Sequence, residues 1–287
     1  MLTVLSPRRP NVRTIATVFL VMVAVSACTS ESPKPHFVLA EELWKNKQYE
    51  AAAAKFDQVA KLDPRGELGT QALFRSAMTL SLFIQRHPDA VERLELFTEW
   101  NQDLELDLKA QLEIGEILYN RQRKYVLAIA KYEHILAEYL KDSGDQRRAE
   151  ALFRIGKSNF FLWEFEKAVS TYQKIASDFA GTPWAERAQF ETAVALYTGG
   201  DRAEDSAGGF KQAKEAYEKF LKNFPKSELT SQARFGIANC LEEMDMLPQA
   251  QAEYERLLNR YPAKGVIEVK LKRIEQRLAQ KTSARKS

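Results

Sequence analysis

The chain has 287 residues, 45% apolar and 28% charged, with only 12 Gly and 10 Pro. Those two residues fall below their usual shares of roughly 7% and 5%, which excludes collagen-like, disordered and turn-rich all-β chains and favours long helices. Two cysteines exclude a disulfide scaffold. The net charge of +3 comes entirely from Arg8, Arg9 and Arg13, because the rest of the chain has as many acids as bases. A neutral body argues against nucleic-acid binding, which depends on counterion release by excess Lys and Arg.

The N-terminus reads as an address. The three arginines precede an uncharged run from Thr14 to Ala27, which is short for a membrane span of about 20 apolar residues but fits a signal peptide. Val25-Ser26-Ala27-Cys28 resembles the lipobox of bacterial lipoproteins. That resemblance implies cleavage before Cys28, acylation of its thiol and, with Thr29 rather than Asp next, an outer-membrane destination in two-membrane bacteria. The alternative is an ordinary secretory signal cut near Ala27, leaving a free thiol. Residues 1–27 are thus read as signal peptide and 28–36 as lipidated cysteine and polar tether. Multiple acyl chains anchor stably where one does not.

The body is a repeat. Ala52, Ala90, Ala128, Ala168, Ala213 and Ala250 recur at spacings of 38, 38, 40, 45 and 37. Four residues after each stands Phe56, Leu94, Tyr132, Tyr172, Tyr217 or Tyr254, and seven after stands Val59, Phe97, Ile135, Ile175, Phe220 or Leu257. Offsets of 0, 4 and 7 trace one helix face. Pro64, Pro225 and Pro262 follow their alanines by twelve and stop the helix. Twelve residues before the alanines lie Ala40, Met78, Glu116 beside Gly115, Gly156 and Ala238, marking a preceding helix. Unit five departs, with Ala193 twenty residues ahead and an insertion expected as a glycine-rich loop from Thr198 to Gly209.

This order of small residue, alanine, aromatic and proline resembles the tetratricopeptide repeat. The resemblance implies an all-α solenoid of six helix-turn-helix units over residues 37–262, each burying its apolar face only against neighbours. Residues 263–287 read as a capping helix with Ile267, Leu271, Ile274 and Leu278 on one stripe, ending in a basic tail frayed from Lys281.

Nothing in the chain points to catalysis or to a metal or other cofactor. His36, His87 and His134 have no ligand spacing. Cys240 falls inside a packed helix with no neighbouring base, so it reads as a small hydrophobe. Asp201, Glu204 and Asp205 in the insertion lack the alternating ligands of a calcium loop. Repeats and cap occupy residues 37–280, leaving no segment for an active-site domain.

Interaction surfaces remain. First helices of such repeats line a concave groove, and Phe37, Trp44, Arg75, Leu82, Leu112, Tyr119, Phe153, Lys157 and Phe190 are its candidates, core being the preferred reading for each of the aromatics. Residues 89–116 carry nine acids against Arg93 and Lys109, and residues 264–287 eight bases against Glu268 and Glu275. These are either solvated faces or docking surfaces of opposite sign. Lys272, Arg273 and Arg277 are the cap candidates, expected to be exposed and of little weight in folding.

Two stretches, Leu39-Ala40-Glu41-Glu42-Leu43-Trp44 with Tyr49 to Phe56, and Asn223-Phe224-Pro225-Lys226-Ser227 with Ala233 to Gly236, resemble the BamD-like outer-membrane assembly lipoproteins. The resemblance implies a membrane-anchored scaffold whose partners are other envelope proteins or peptide segments. The C-terminal half equally resembles the periplasmic repeat protein that coordinates cell constriction with the Tol-Pal system. Metabolic labelling with a palmitate analogue is expected to mark the wild-type chain and to miss Cys28→Ser; equal labelling of both would remove the anchor.

Overall fold

The computed structural model describes residues 31–142, 144–200 and 206–284. Cys28 and the acids at 201, 204 and 205 lie outside the described residues. The described chain is a right-through succession of antiparallel helices paired as an α-solenoid. The first helices of the units are α1 (Pro33–Lys45), α3 (Glu67–Thr79), α5 (Leu104–Glu116), α7 (Gln146–Phe161), α9 (Pro183–Gly199) and α11 (Thr230–Glu243). Their partners are α2 (Tyr49–Leu62), α4 (His87–Trp100), α6 (Tyr125–Glu138), α8 (Phe165–Asp178), α10 (Ser206–Asn223) and α12 (Leu247–Leu257), and α13 (Lys264–Ala284) closes the stack.

The expected core is the observed one. All six repeat alanines are completely buried, and so are, or nearly so, the twelve large residues four and seven positions on. The alanines permit close approach, and the aromatics fill the space this leaves. At Gly156 the approach is tightest within a unit, since an added Cβ would stand 2.5 Å from the Tyr172 ring. At Gly236 the Tyr217 ring of the preceding unit would lie 2.4 Å away.

Three local readings change. In units two and three the small residues facing the second helix are Ala77 and Gly115, not Met78 and Glu116, because each first helix ends in a π-helical turn. These turns are Leu80–Ile84 and Ile117–Arg121, and their last amides return to carbonyls five residues back. Each π turn inserts one residue and moves the register by one. In unit five, Gly208 and Gly209 belong to α10 and α9 reaches Gly199, so the helices take both ends of the expected loop, and residues 201–205 lie outside the described residues. At the N-terminus α1 already starts at Pro33, a residue suited to a first helical turn. The chain between Cys28 and the first helix is thus shorter than residues 28–36.

A recurrent turn joins the helices within a unit. Lys47, Gln85, Arg123, Trp163 and Asp245 all take left-handed φ between 53° and 64°, each five residues before its repeat alanine. None is glycine, so each accepts a backbone cost of roughly 1 kcal/mol that the surrounding packing offsets. Turns between units are capped by side chains: Asp63 accepts from Gly69 N–H at 3.1 Å, and Asp145 accepts from Arg147 N–H at 2.8 Å.

Ala168 is buried where α8 meets α7, so Ala168→Leu overpacks that contact at a cost of about 1–3 kcal/mol. Thermal melting is expected to drop clearly for Ala168→Leu and to change little for Ala279→Leu on the exposed side of α13; similar melting of the two would refute the register.

Candidate interaction groove

Consecutive first helices lie side by side and are stitched by polar contacts. Arg75 on α3 reaches Glu41 on α1 at 3.1 Å. Ser81 donates to Glu113 on α5 at 3.1 Å. Arg154 on α7 meets Glu116 at 3.2 Å, and Lys157 meets both carboxylate oxygens of Glu191 on α9 at 3.2 Å. Cations also cover aromatic rings on this face. Arg75 stands 5.5 Å from the Phe37 centroid, Arg154 5.0 Å from Tyr119, and Arg187 5.1 Å from Phe153 and 5.5 Å from Trp184. The face is therefore a floor of rings roofed by cations, each contact modest on its own. Burial raises the Tyr119 hydroxyl above its ordinary pKa, and Arg154 offsets part of the rise.

The sequence-predicted groove residues divide accordingly. Arg75 is exposed on this face, and Lys157 is partly buried by Glu191 and by the rings of Phe160 and Phe161. Tyr119, Phe153 and Phe37 are buried beneath the cations, which corrects their reading as open contact surface. Leu112 is half-buried, and Phe190 packs against Tyr217 and Phe220. Trp44 and Leu82 are exposed, at the edge where first helices turn into second helices.

A cavity of about 720 Å³ opens between α3, the end of α4 and the start of α5. Phe74, Phe97, Trp100 and Leu106 supply its apolar wall, with Arg65, Arg75 and Asp103 among its polar lining. Its size matches sites that take a large side chain or small ligand. Sequence reasoning found Arg75 but missed Trp100 and Phe74, which stand off the repeated 0, 4 and 7 face and have no periodic signal. Among the described residues no group of acids, histidines or cysteines is arranged to hold a metal. Cys240 is buried and burial pushes its thiol up to about 12, so at neutral pH it stays protonated.

The charge blocks are largely consumed internally. Asp89 pairs with Arg86, Glu92 with Arg93, Glu105 with Arg147 and Glu116 with Arg154, while Asp107 takes the Tyr139 hydroxyl. The cap is more strongly committed. Glu242 on α11, its side chain 0% exposed, receives Lys270 at 3.1 Å, Arg273, and Arg277 at 3.6 Å, with the Tyr254 hydroxyl at 3.0 Å. Arg277 and Lys281 also bind Asp245 in the last left-handed turn. Arg273 and Arg277 are therefore not free docking charges but clamps, and the helix continues to Ala284 rather than fraying at Lys281. Of the three cap candidates, Lys272 alone stays exposed without an ion pair among the described residues.

The tetratricopeptide repeat family model matches residues 150–182, 187–227 and 232–263, which are units four to six. No curated protein matches the chain. Among solved structures, the apo form of RapI superposes with TM-score 0.56 at 16% identity, covering 88% of this chain and 73% of that one. A tetratricopeptide-repeat protein fragment from Cytophaga hutchinsonii gives 0.55 at 17% identity, covering 78% of each chain. PilW, described as a widely conserved type IV pilus biogenesis factor, gives 0.51 at 15% identity, covering 83% of this chain and 98% of that one. The fold is the all-α tetratricopeptide-repeat solenoid. Unit boundaries in the matched segments coincide with the α7–α8, α9–α10 and α11–α12 pairs.

Burial is the largest influence on Glu242 and pushes its pKa up, but Lys270, Arg273 and Tyr254 together outweigh it and leave the carboxyl below its usual range. A lowered folded pKa contributes stability that is complete above the unfolded carboxylate range near pH 4 to 5, and that vanishes as pH falls through the lowered value. Glu242→Gln removes the anion that the partly exposed Lys270, Arg273 and Arg277 share, at a cost of about 1–3 kcal/mol. Melting followed by circular dichroism is expected to show this loss at pH 7, and a narrowing gap between variant and wild type as pH falls below the ordinary carboxylate range. Arg273→Glu with Arg277→Glu is also expected to lower melting at pH 7, reversing the sequence expectation of no effect.

Proposed function

We propose that this chain is a non-catalytic, lipid-anchored scaffold of the bacterial envelope that holds partner polypeptides in its concave groove. The observation that carries the reading is the cavity between α3, α4 and α5, opening beside the cation-covered aromatic row on the first helices. An apolar partner side chain enters the cavity, and its backbone and polar groups meet Arg75, Asp103 and the Glu41–Arg75 pair. Such a mode takes extended or helical segments with one or two apolar anchors.

The anchoring part rests on the order Arg8-Arg9, Arg13, apolar run, small residues and Cys28. On this reading the solenoid sits at the periplasmic face of the outer membrane where the organism has two membranes. No helix among the described residues is long and apolar enough to cross a membrane. Within this class the best-supported role is assembly of a multiprotein envelope complex such as the outer-membrane protein machinery. The role of PilW in pilus biogenesis accords with envelope assembly, on a likeness of fold alone.

A photoreactive amino acid at Gln71, exposed on α3 at the cavity mouth, is expected to form partner adducts in living cells, and one at Lys174, exposed on α8, is not. Adducts from both positions alike, or from neither, would overturn the groove reading.

A further inference from the structure

The edge formed by the turns within units one to three gathers exposed bases and exposed apolar side chains. Lys45, Lys47, Arg121, Arg123 and Lys124 are all exposed there. None of the five makes an ion pair or side-chain hydrogen bond among the described residues, whereas Arg75, Arg154 and Lys157 in the groove and Arg273 and Arg277 in the cap are paired. Arg86 on the same edge is held by Asp89.

Large apolar side chains are interleaved with these bases. Trp44 is 39% exposed, Leu82 52%, Phe83 44% and Leu127 53%. They are held rather than loose: Tyr49 stacks on Phe83 at 4.3 Å, and Trp44 meets Phe83 edge-on at 5.7 Å. Phe161, also exposed, stacks on Tyr125 at 5.0 Å. A cavity of about 460 Å³ opens beside Lys124 between α4 and α6, walled by Pro88, Val91, Leu118 and Leu127, with Glu95 its acid.

We infer that this edge is a second docking surface, separate from the groove, for an acidic polypeptide segment carrying apolar side chains. Unpaired positive charge selects and steers a negative partner. Ordered, exposed rings and a ready apolar cavity supply the contact area that charge alone does not. The apolar residue of the segment enters the cavity at Val91 and Leu127 while its carboxylates meet Lys124, Arg123 and Arg121.

The same features suit an anionic membrane, and the position of the anchor weighs against it. α1 has 13 residues, a length of about 20 Å, and runs from the opposite edge to this one. Only five residues follow Cys28 up to Pro33, a reach of at most about 17 Å. With Cys28 as anchor, the edge where α1 begins is held within that reach of the membrane, and the basic edge lies a further helix length from the anchor. This orientation rests on the anchor reading; the chemistry of the edge does not.

The test uses the full chain in detergent micelles and a fluorescein-labelled 14-residue peptide alternating Glu with Leu and Phe. Anisotropy is expected to show binding at least tenfold tighter than for the same peptide with Gln in place of Glu, weakening with added salt. Arg121→Glu with Arg123→Glu and Lys124→Glu, and separately Leu127→Asp, are expected to weaken it at least tenfold with melting unchanged. Photoadducts from Gln71 are expected to persist in the triple variant, which separates this edge from the groove. Equal binding by the triple variant, or by the Gln peptide, would overturn the proposal. So would phosphatidylglycerol vesicles that capture the Cys28→Ser chain but not its triple variant, since the edge would then face lipid. If Cys28 fails to label while the peptide results hold, the edge stands and only its direction is lost.

Discussion

Everything in this molecule depends on how closely two antiparallel helices approach within and between units. Ala52, Ala90, Ala128, Ala168, Ala213 and Ala250 set the distance, because a larger side chain at any of them would hold the helices apart. The aromatic or leucine four residues on fills what remains, and Tyr172 against Gly156 shows how little is left. A helix pair of this kind leaves one apolar face open, and the next pair covers it. Stacking is therefore obligatory, and a groove of first helices is its by-product.

The same requirement explains the C-terminal end. The last repeat would expose the apolar face of α11 and α12, and α13 covers it with Ile267 and Ile274. Apolar burial alone does not fix where such a helix sits along its length. Glu242 does so, because a buried carboxylate tolerates no loss of its cations. Lys270, Arg273 and Arg277 lie at spacings of three and four on α13, so they descend on Glu242 from one helix face.

Charge in this solenoid divides into two populations. Where helices meet, acids and bases pair across units, as with Glu41 and Arg75, Asp57 and Arg93, and Lys157 and Glu191. These contacts use charge for register and remove it from the surface. Along the turns of units one to three Lys47 and Arg123 sit in left-handed turns and stay exposed, and neither pairs with the acids of the adjoining first turns, Glu50 and Asp89. A chain with a neutral body thus still presents a locally positive edge.

The repeat, its alanine register, the helical class and the capping helix were legible in the chain because each follows from periodic placement of small and large apolar residues. Periodicity reports what is buried against a neighbour. It was silent on the π turns at Leu80–Ile84 and Ile117–Arg121, since one inserted residue leaves only a slip from twelve to thirteen between Ala77 and Ala90 and between Gly115 and Ala128. It was silent on the left-handed turns too, because no glycine marks them. Among candidate site residues, Arg75 was legible from its helix face, while Tyr119 and Phe153 were placed in the groove and proved to lie under Arg154 and Arg187. Trp100 joined the cavity, and Arg273 and Arg277 left the free surface, for the same physical reason. Which side chains meet across units depends on the angle and offset of whole helices, and that is decided only when all the pairs are stacked.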